Sequence, residues 1–112
     1  MGDKLAGRVA AITGGSAGIG LGIAAAFVAE GASVSLMARN PEKGAQAAAS
    51  LGVGERAIFI QGDAMVQADV EGFVDQTVER LGQVDILVNN AGGAGDLRHR
   101  PQPSDRTRRS RR

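Results

Sequence analysis

Four short apolar runs alternate with three stretches of helical periodicity over the first 90 residues of this chain. Residues 8–13 (RVAAIT) are apolar at successive positions and run into a glycine cluster, which predicts a strand buried on both faces. Over residues 18–30 the apolar positions Ile19, Ile23, Ala26 and Phe27 recur at helical spacing, and Gly31 supplies the stop. Residues 33–38 (SVSLMA) predict a second strand. Asn40-Pro41 then offers an N-cap and a proline at the first helical position, so a small Ala-rich helix is expected over about 41–51. Residues 57–61 (AIFIQ) predict a third strand. Val70, Phe73, Val74, Thr77, Val78 and Leu81 repeat at intervals of three and four, which predicts an amphipathic helix over about 67–81. Residues 84–89 (VDILVN) predict a fourth strand leading into Asn90-Ala91-Gly92-Gly93. Strands and helices in strict alternation, with short connections, specify an α/β fold: a doubly wound parallel sheet with right-handed crossovers.

The chain has 112 residues, room for one domain and near the lower limit for a self-sufficient core. Its apolar residues are mainly Ala, Val, Ile and Leu, with three Phe and no Trp or Tyr, a composition suited to close packing through small side chains. With no cysteine there is neither a disulfide framework nor a thiolate metal site, in keeping with a reducing compartment. The apolar stretch over residues 9–29 is broken by Thr13, Ser16 and several glycines and follows no basic segment, so it is not a membrane span or a signal peptide. The Met1-Gly2 start has Ala6 where a myristoylation signal needs Ser or Thr. A soluble, cytoplasmic chain is expected.

Charge divides the chain in two. Up to Gly95 there are six Lys or Arg against ten Asp or Glu, whereas from Asp96 onward there are seven Arg against two Asp. That second part (DLRHRPQPSDRTRRSRR) has no apolar period, two prolines and a run of like charge. It is expected to be a disordered basic tail over residues 96–112, appended to a domain over 1–95. His99 lies within it, without a partner for catalysis or metal binding.

The candidate chemistry lies in Thr13-Gly14-Gly15-Ser16-Ala17-Gly18-Ile19-Gly20, at the junction of the first strand and first helix. A dinucleotide pyrophosphate needs a tight turn out of a strand, backbone close enough to donate N–H groups, and a helix N-terminus aimed at the charge. Gly14 permits the turn, Gly18 removes a side chain where phosphate approaches, and Gly20 lets the helix lie close; Ser16 can add a hydroxyl donor. The spacing, with three residues between the first two glycines, differs from the GxGxxG of the commonest nucleotide folds.

Together with Gly62-Asp63-Ala64 after the third strand and Asn89-Asn90-Ala91-Gly92 after the fourth, this motif resembles the N-terminal half of a short-chain dehydrogenase/reductase; the likeness covers roughly residues 4–95. It implies a partial Rossmann-type sheet. It also implies that Gly14, Ser16, Ala17, Gly18, Ile19 and Gly20 line the pyrophosphate, that Asp63 and Ala64 border the adenine, and that Asn90, Ala91 and Gly92 reach the ribose beside the nicotinamide. Asn89 is expected to tie neighbouring strands together. Met65-Val66 departs from the Thr or Asp that often caps the following helix in the family, which puts the start of that helix in question.

NAD sites carry an acidic side chain at the end of the second strand, where it bonds the ribose 2′-hydroxyl and repels a 2′-phosphate. Here the residues are Ala38-Arg39-Asn40. A guanidinium in place of a carboxylate favours NADP(H), with NAD the alternative if Arg39 is only a solvated loop residue. Ala17 weighs the other way, since NADP-preferring relatives often have a basic residue within the glycine loop.

The resemblance further implies a catalytic tyrosine, a lysine four residues later and a serine, all in the half of the family without a counterpart here. The chain has no Tyr, and its lysines, Lys4 and Lys43, fall in the wrong elements, so no catalytic residue is assigned. A sheet of four strands would leave the fourth with an open edge and part of its faces uncovered, giving marginal stability; no family-type oligomer interface is expected. Three readings follow. One is the cofactor-binding part of a reductase truncated or frameshifted near Leu97, inactive alone. The second is a non-catalytic module that binds nicotinamide cofactor. The third is a protein whose basic tail associates with nucleic acid, although specific recognition is not expected without an aromatic platform or a recognition helix.

Overall fold

The computed structural model describes residues 3–14 and 18–90. In chain order these form β1 (Val9–Thr13), α1 (Gly18–Ala29), β2 (Ser33–Ala38), α2 (Pro41–Ser50), β3 (Ala57–Gln61), α3 (Gln67–Leu81) and β4 (Ile86–Asn89), with one 3-10 turn at Gly54–Arg56 before β3. The strands make one parallel sheet in the order β3-β2-β1-β4. The expected tail over 96–112, and with it His99, lies outside the described residues.

The sheet has a helical layer on each face, and alternation along the strands decides which residue goes to which. Ala10, Ile12, Val34 and Leu36 point to one side, where they pack with Ala24 of α1 and Ala47 of α2. Ala11, Met37, Ile58 and Ile60 point to the other and pack with Phe73 and Val74 of α3. β1 is buried along its whole length, so its unbroken VAAIT run has the pattern that two-sided burial requires. One polar pair is enclosed in this second layer. Thr77 Oγ1 lies 2.7 Å from the Phe73 carbonyl and 2.8 Å from Ser35 Oγ. A carbonyl can only accept, so Thr77 donates to Phe73 and Ser35 donates to Thr77, which fixes α3 against β2.

Three expectations need correction. α1 does not turn Ile19 and Ala26 inward: both are exposed, and the packed side comprises Gly20 and Ala24, with Leu21, Ile23, Phe27 and Val28 beside them. The helix is apolar around most of its circumference, so hydrophobic spacing could not set its rotation. β1 starts at Val9 rather than at residue 8, and β4 at Ile86 rather than at 84. Val84 is fully buried and reads as strand, but Asp85 accepts the Val9 N–H at 2.9 Å through Oδ2, bonds Gln83 Nε2 and faces Arg8 at 3.7 Å. Those contacts occupy the approach to β4, and its ladder begins one residue later. α1 and α2 each end one residue short of expectation, at Ala29 and Ser50.

α2 begins as its cap predicts. Asn40 Oδ1 accepts from the backbone N–H groups of Glu42 at 2.9 Å and Lys43 at 3.0 Å, with Pro41 in the first turn. α3 begins at Gln67 although Val66 offers it no side-chain cap. Asp69 in its first turn reaches back instead, accepting the Asp63 N–H at 2.9 Å. Among the described residues β4 pairs only with β1, and Ile86, Leu87 and Val88 are half-buried, in contrast to the enclosed β1.

Candidate cofactor-binding site

From β1 the chain crosses to β2 and β3 on one side, then returns to β4 on the other. The order β3-β2-β1-β4 therefore places a topological switch point between β1 and β4. Crevices in open α/β sheets form there, beyond the carboxyl ends of the strands. Gly14 follows β1, Arg39 follows β2, Asp63 and Ala64 lie just after β3, and Asn90 follows β4. Every predicted site residue that is described thus falls along this edge. Ser16, Ala17, Ala91 and Gly92 lie outside the described residues.

The glycines have separable roles. Gly14 and Gly18 both have positive φ, 68° and 60°, a backbone that side-chain-bearing residues rarely adopt. Among the described residues a Cβ on Gly18 would meet nothing within 4 Å. The leading N–H groups of α1 have no acceptor within the helix and point out of its end. Gly20 differs: a Cβ there would lie 2.3 Å from the Gly14 carbonyl oxygen and 2.9 Å from Asn90 Nδ2. Helix, glycine turn and the end of β4 meet at that point, leaving no room for a methyl group. Ile19 is three-quarters exposed on the outer side of the same turn.

The ends of β1 and β4 are tied by side chains. Thr13 Oγ1 donates to Asn89 Oδ1 at 3.0 Å and accepts the Asn90 N–H at 3.0 Å, so Asn89 joins the two strands as expected. Asn90 Nδ2 reaches the Gly14 carbonyl at 3.4 Å. On the β3 side, Asp63 Oδ1 accepts the Met65 N–H at 2.8 Å, closing a tight turn that presents Asp63-Ala64 beside α3. A crevice of about 180 Å³ separates these groups, with Thr13, Leu87 and Asn89 on one wall and Ala64, Met65, Gln67 and Val70 on the other. A wider hollow of about 860 Å³ lies against β3 between α2 and the end of α3, lined by alanines of α2 and β3 with Phe59, Leu81 and the charged Glu55 and Arg80. It is remote from the glycine turn.

At the end of β2, Arg39 and Asn40 make the entire connection to α2, and both are exposed. The Ala38 carbonyl accepts the Gly62 N–H at 3.0 Å, and the Arg39 carbonyl accepts Gln61 Nε2 at 3.1 Å. Neither Gln61 nor Asp69 stands out in the sequence as a site residue. An acid in the first turn of an uncapped helix was the available signal for Asp69; nothing in the local pattern marks Gln61. Among the described residues no three His, Cys, Asp or Glu side chains gather as a metal site, and no helix is long and apolar enough to cross a membrane.

Comparison with known proteins agrees with this arrangement. The chain is 46% identical over 92 residues to the NADP-dependent (R)-specific alcohol dehydrogenase of Lentilactobacillus kefiri, covering 82% of this chain and 36% of that protein. It is 42% identical over 93 residues to zerumbone synthase of Zingiber zerumbet, covering 83% of this chain and 35% of the relative. The chain therefore spans about a third of the length of these curated relatives. Among solved structures, L-sorbose reductase from Gluconobacter frateurii, complexed with NADPH and L-sorbose, superposes with a TM-score of 0.78 at 34% identity, covering 98% of this chain and 48% of that one. The family described as short chain dehydrogenase matches residues 8–110, running past Gly95, where the motifs legible in the sequence end. With its glycine turn, its Asp63-Ala64 corner and its Asn89-Asn90 strand end at one switch point, the chain belongs to the short-chain dehydrogenase family.

Proposed function

We propose that this chain is the NADP(H)-binding part of a short-chain dehydrogenase/reductase-type oxidoreductase and that it binds cofactor without turning it over. The observation that carries the reading is the convergence of Gly14, Gly18, Arg39, Asp63 and Asn90 on the carboxyl ends of four parallel strands. The pyrophosphate would lie over the first turn of α1, where Gly18 leaves space and the leading amides donate. The adenine would lie against Asp63 and Ala64, and the ribose beside the nicotinamide would meet Asn90, Ala91 and Gly92. Ser16, Ala17, Ile19 and Gly20 would complete the pyrophosphate loop. When bound, the nicotinamide supplies a hydride; the residues of this chain hold and orient the dinucleotide.

The preference for NADP(H) rests on the end of β2. No carboxylate follows Ala38, and Arg39 is exposed on a two-residue connection held at both ends. A guanidinium there would pair with a 2′-phosphate. The NADP named for the L. kefiri relative and the NADPH named for the L-sorbose reductase complex support the same reading. Arg39→Ala, or Ala38→Asp, is expected to move relative affinity toward NAD(H) by more than about tenfold, since a charged hydrogen bond contributes roughly 1.5–3 kcal/mol. Calorimetric titrations giving an unchanged ratio for both variants would remove Arg39 from the assignment.

Hydride transfer in this family is accompanied by proton transfer from a tyrosine, and the chain contains none. The purified chain is expected to bind NADPH yet leave its absorbance at 340 nm unchanged when aldehydes or ketones are added. Oxidation above the no-protein control would show that another group serves as the acid.

A further inference from the structure

Three successive carbonyls carry the chain from β2 into α2, and each has a donor. Ala38 accepts the Gly62 N–H at 3.0 Å and Asn40 accepts the Gly44 N–H at 3.0 Å, both backbone groups. Arg39, between them, is held by a side chain, Gln61 Nε2 at 3.1 Å. Gln61 is the last residue of β3 and stands opposite Ala38 in the parallel ladder. Its amide therefore adds one rung beyond the end of the β2–β3 pairing, onto the peptide that carries the Arg39 side chain. The next residue is already fixed, because Asn40 Oδ1 holds the first turn of α2. The connection is thus restrained before Arg39 by the Ala38–Gly62 rung and after it by the helix cap, and among the described residues Gln61 is what holds the Arg39 carbonyl itself.

We infer that Gln61 is a positioning residue for cofactor selection: it holds the Arg39 peptide so that the guanidinium is presented to the 2′-phosphate of NADP(H), without touching the phosphate itself. The inference rests on the NADP(H) reading above. An exposed arginine on an unrestrained connection would lose conformational freedom on closing over a phosphate, and a peptide already held reduces that loss. The contribution should fall on discrimination between 2′-phosphate and 2′-hydroxyl, and leave adenosine binding as such unaltered.

The test uses the full 112-residue chain with 2′,5′-ADP and 5′-AMP as probes, titrated by calorimetry, for the parent, Gln61→Met, Arg39→Ala and the double variant. Gln61→Met keeps the length of the side chain and removes its donor. The parent should favour 2′,5′-ADP; Gln61→Met should narrow that preference by about threefold to tenfold, the span of one ordinary hydrogen bond, with 5′-AMP affinity and the unfolding midpoint unchanged. In the Arg39→Ala background the same substitution should do nothing further, since the residue it positions is gone. The carbonyl carbon resonance of Arg39 should shift in Gln61→Met. If the parent prefers 2′,5′-ADP and Gln61→Met preserves the full preference, or narrows it equally without Arg39, Gln61 has no positioning role and the NADP(H) reading still stands. If the parent shows no such preference, or binds neither probe, the NADP(H) reading fails and this inference fails with it.

Discussion

Gly20→Ala is expected to abolish the protection that NADP(H) gives this chain against unfolding and to lower its stability by about 1–3 kcal/mol. The added methyl would sit 2.3 Å from the Gly14 carbonyl oxygen and 2.9 Å from Asn90 Nδ2. The nearer of these is backbone, which cannot rotate away, so either α1 moves outward or the glycine turn deforms. Both displace the amides that would meet the pyrophosphate. A ligand present at about a hundred times its Kd stabilises a folded chain by about 2.7 kcal/mol, so the loss is readable as a cofactor-dependent rise in midpoint that vanishes. Gly22→Ala is the matched control. It lies two residues along the same helix on the exposed side, where a Cβ meets nothing within 4 Å. That substitution should retain protection and raise stability by up to about 1 kcal/mol through helix propensity. Equal behaviour of the two variants in thermal unfolding with and without NADPH would show that the contact of α1 with the glycine turn is not what shapes the site.

The contrast between Gly20 and Ile19 shows where sequence reasoning reached its limit. The glycine motif announces a turn, a helix N-terminus and a close approach, and all three are present at Gly14, Gly18 and Gly20. β2, β3 and α3 have the bounds their patterns predict: β2 lies between Gly31 and the Asn40-Pro41 cap, β3 ends before Gly62 and α3 before Gly82, while the uncapped start of α3 is carried by its apolar period. α1 has no polar face, so its rotation is set by which small residues let it approach the sheet, a property of packing and not of period. Gln61 and Asp69 were illegible for a different reason. Each acts on a backbone group distant in sequence or around a corner, Arg39 carbonyl and Asp63 N–H, and such pairings exist only once β2, β3 and α3 are assembled.

Phe73→Ala should cost about 3–5 kcal/mol of folding stability. Phe73 is fully buried in the layer formed with Ala11, Met37, Ile58, Ile60, Val74 and Val84, and it is the largest fully buried side chain among the described residues. The surrounding layer can relax only in part into the space its ring would vacate, so a cavity term adds to the lost burial. A domain of this size is stable by only about 5–10 kcal/mol, and β4 here is half-exposed, so this loss is a large fraction of the margin. The consequence reaches the site through the same helix. Asp69, one turn before Phe73, holds the Asp63 N–H, and Thr77, one turn after, is held to Ser35. Loosening α3 therefore frees the Asp63-Ala64 corner proposed to border the adenine. Urea denaturation should show a lowered midpoint for Phe73→Ala, and saturating NADPH should restore only part of it, because the ligand must then also order α3. A loss below about 1 kcal/mol would mean that α3 is not an integral layer of the domain, and the adenine side of the site would have to be supported by other elements.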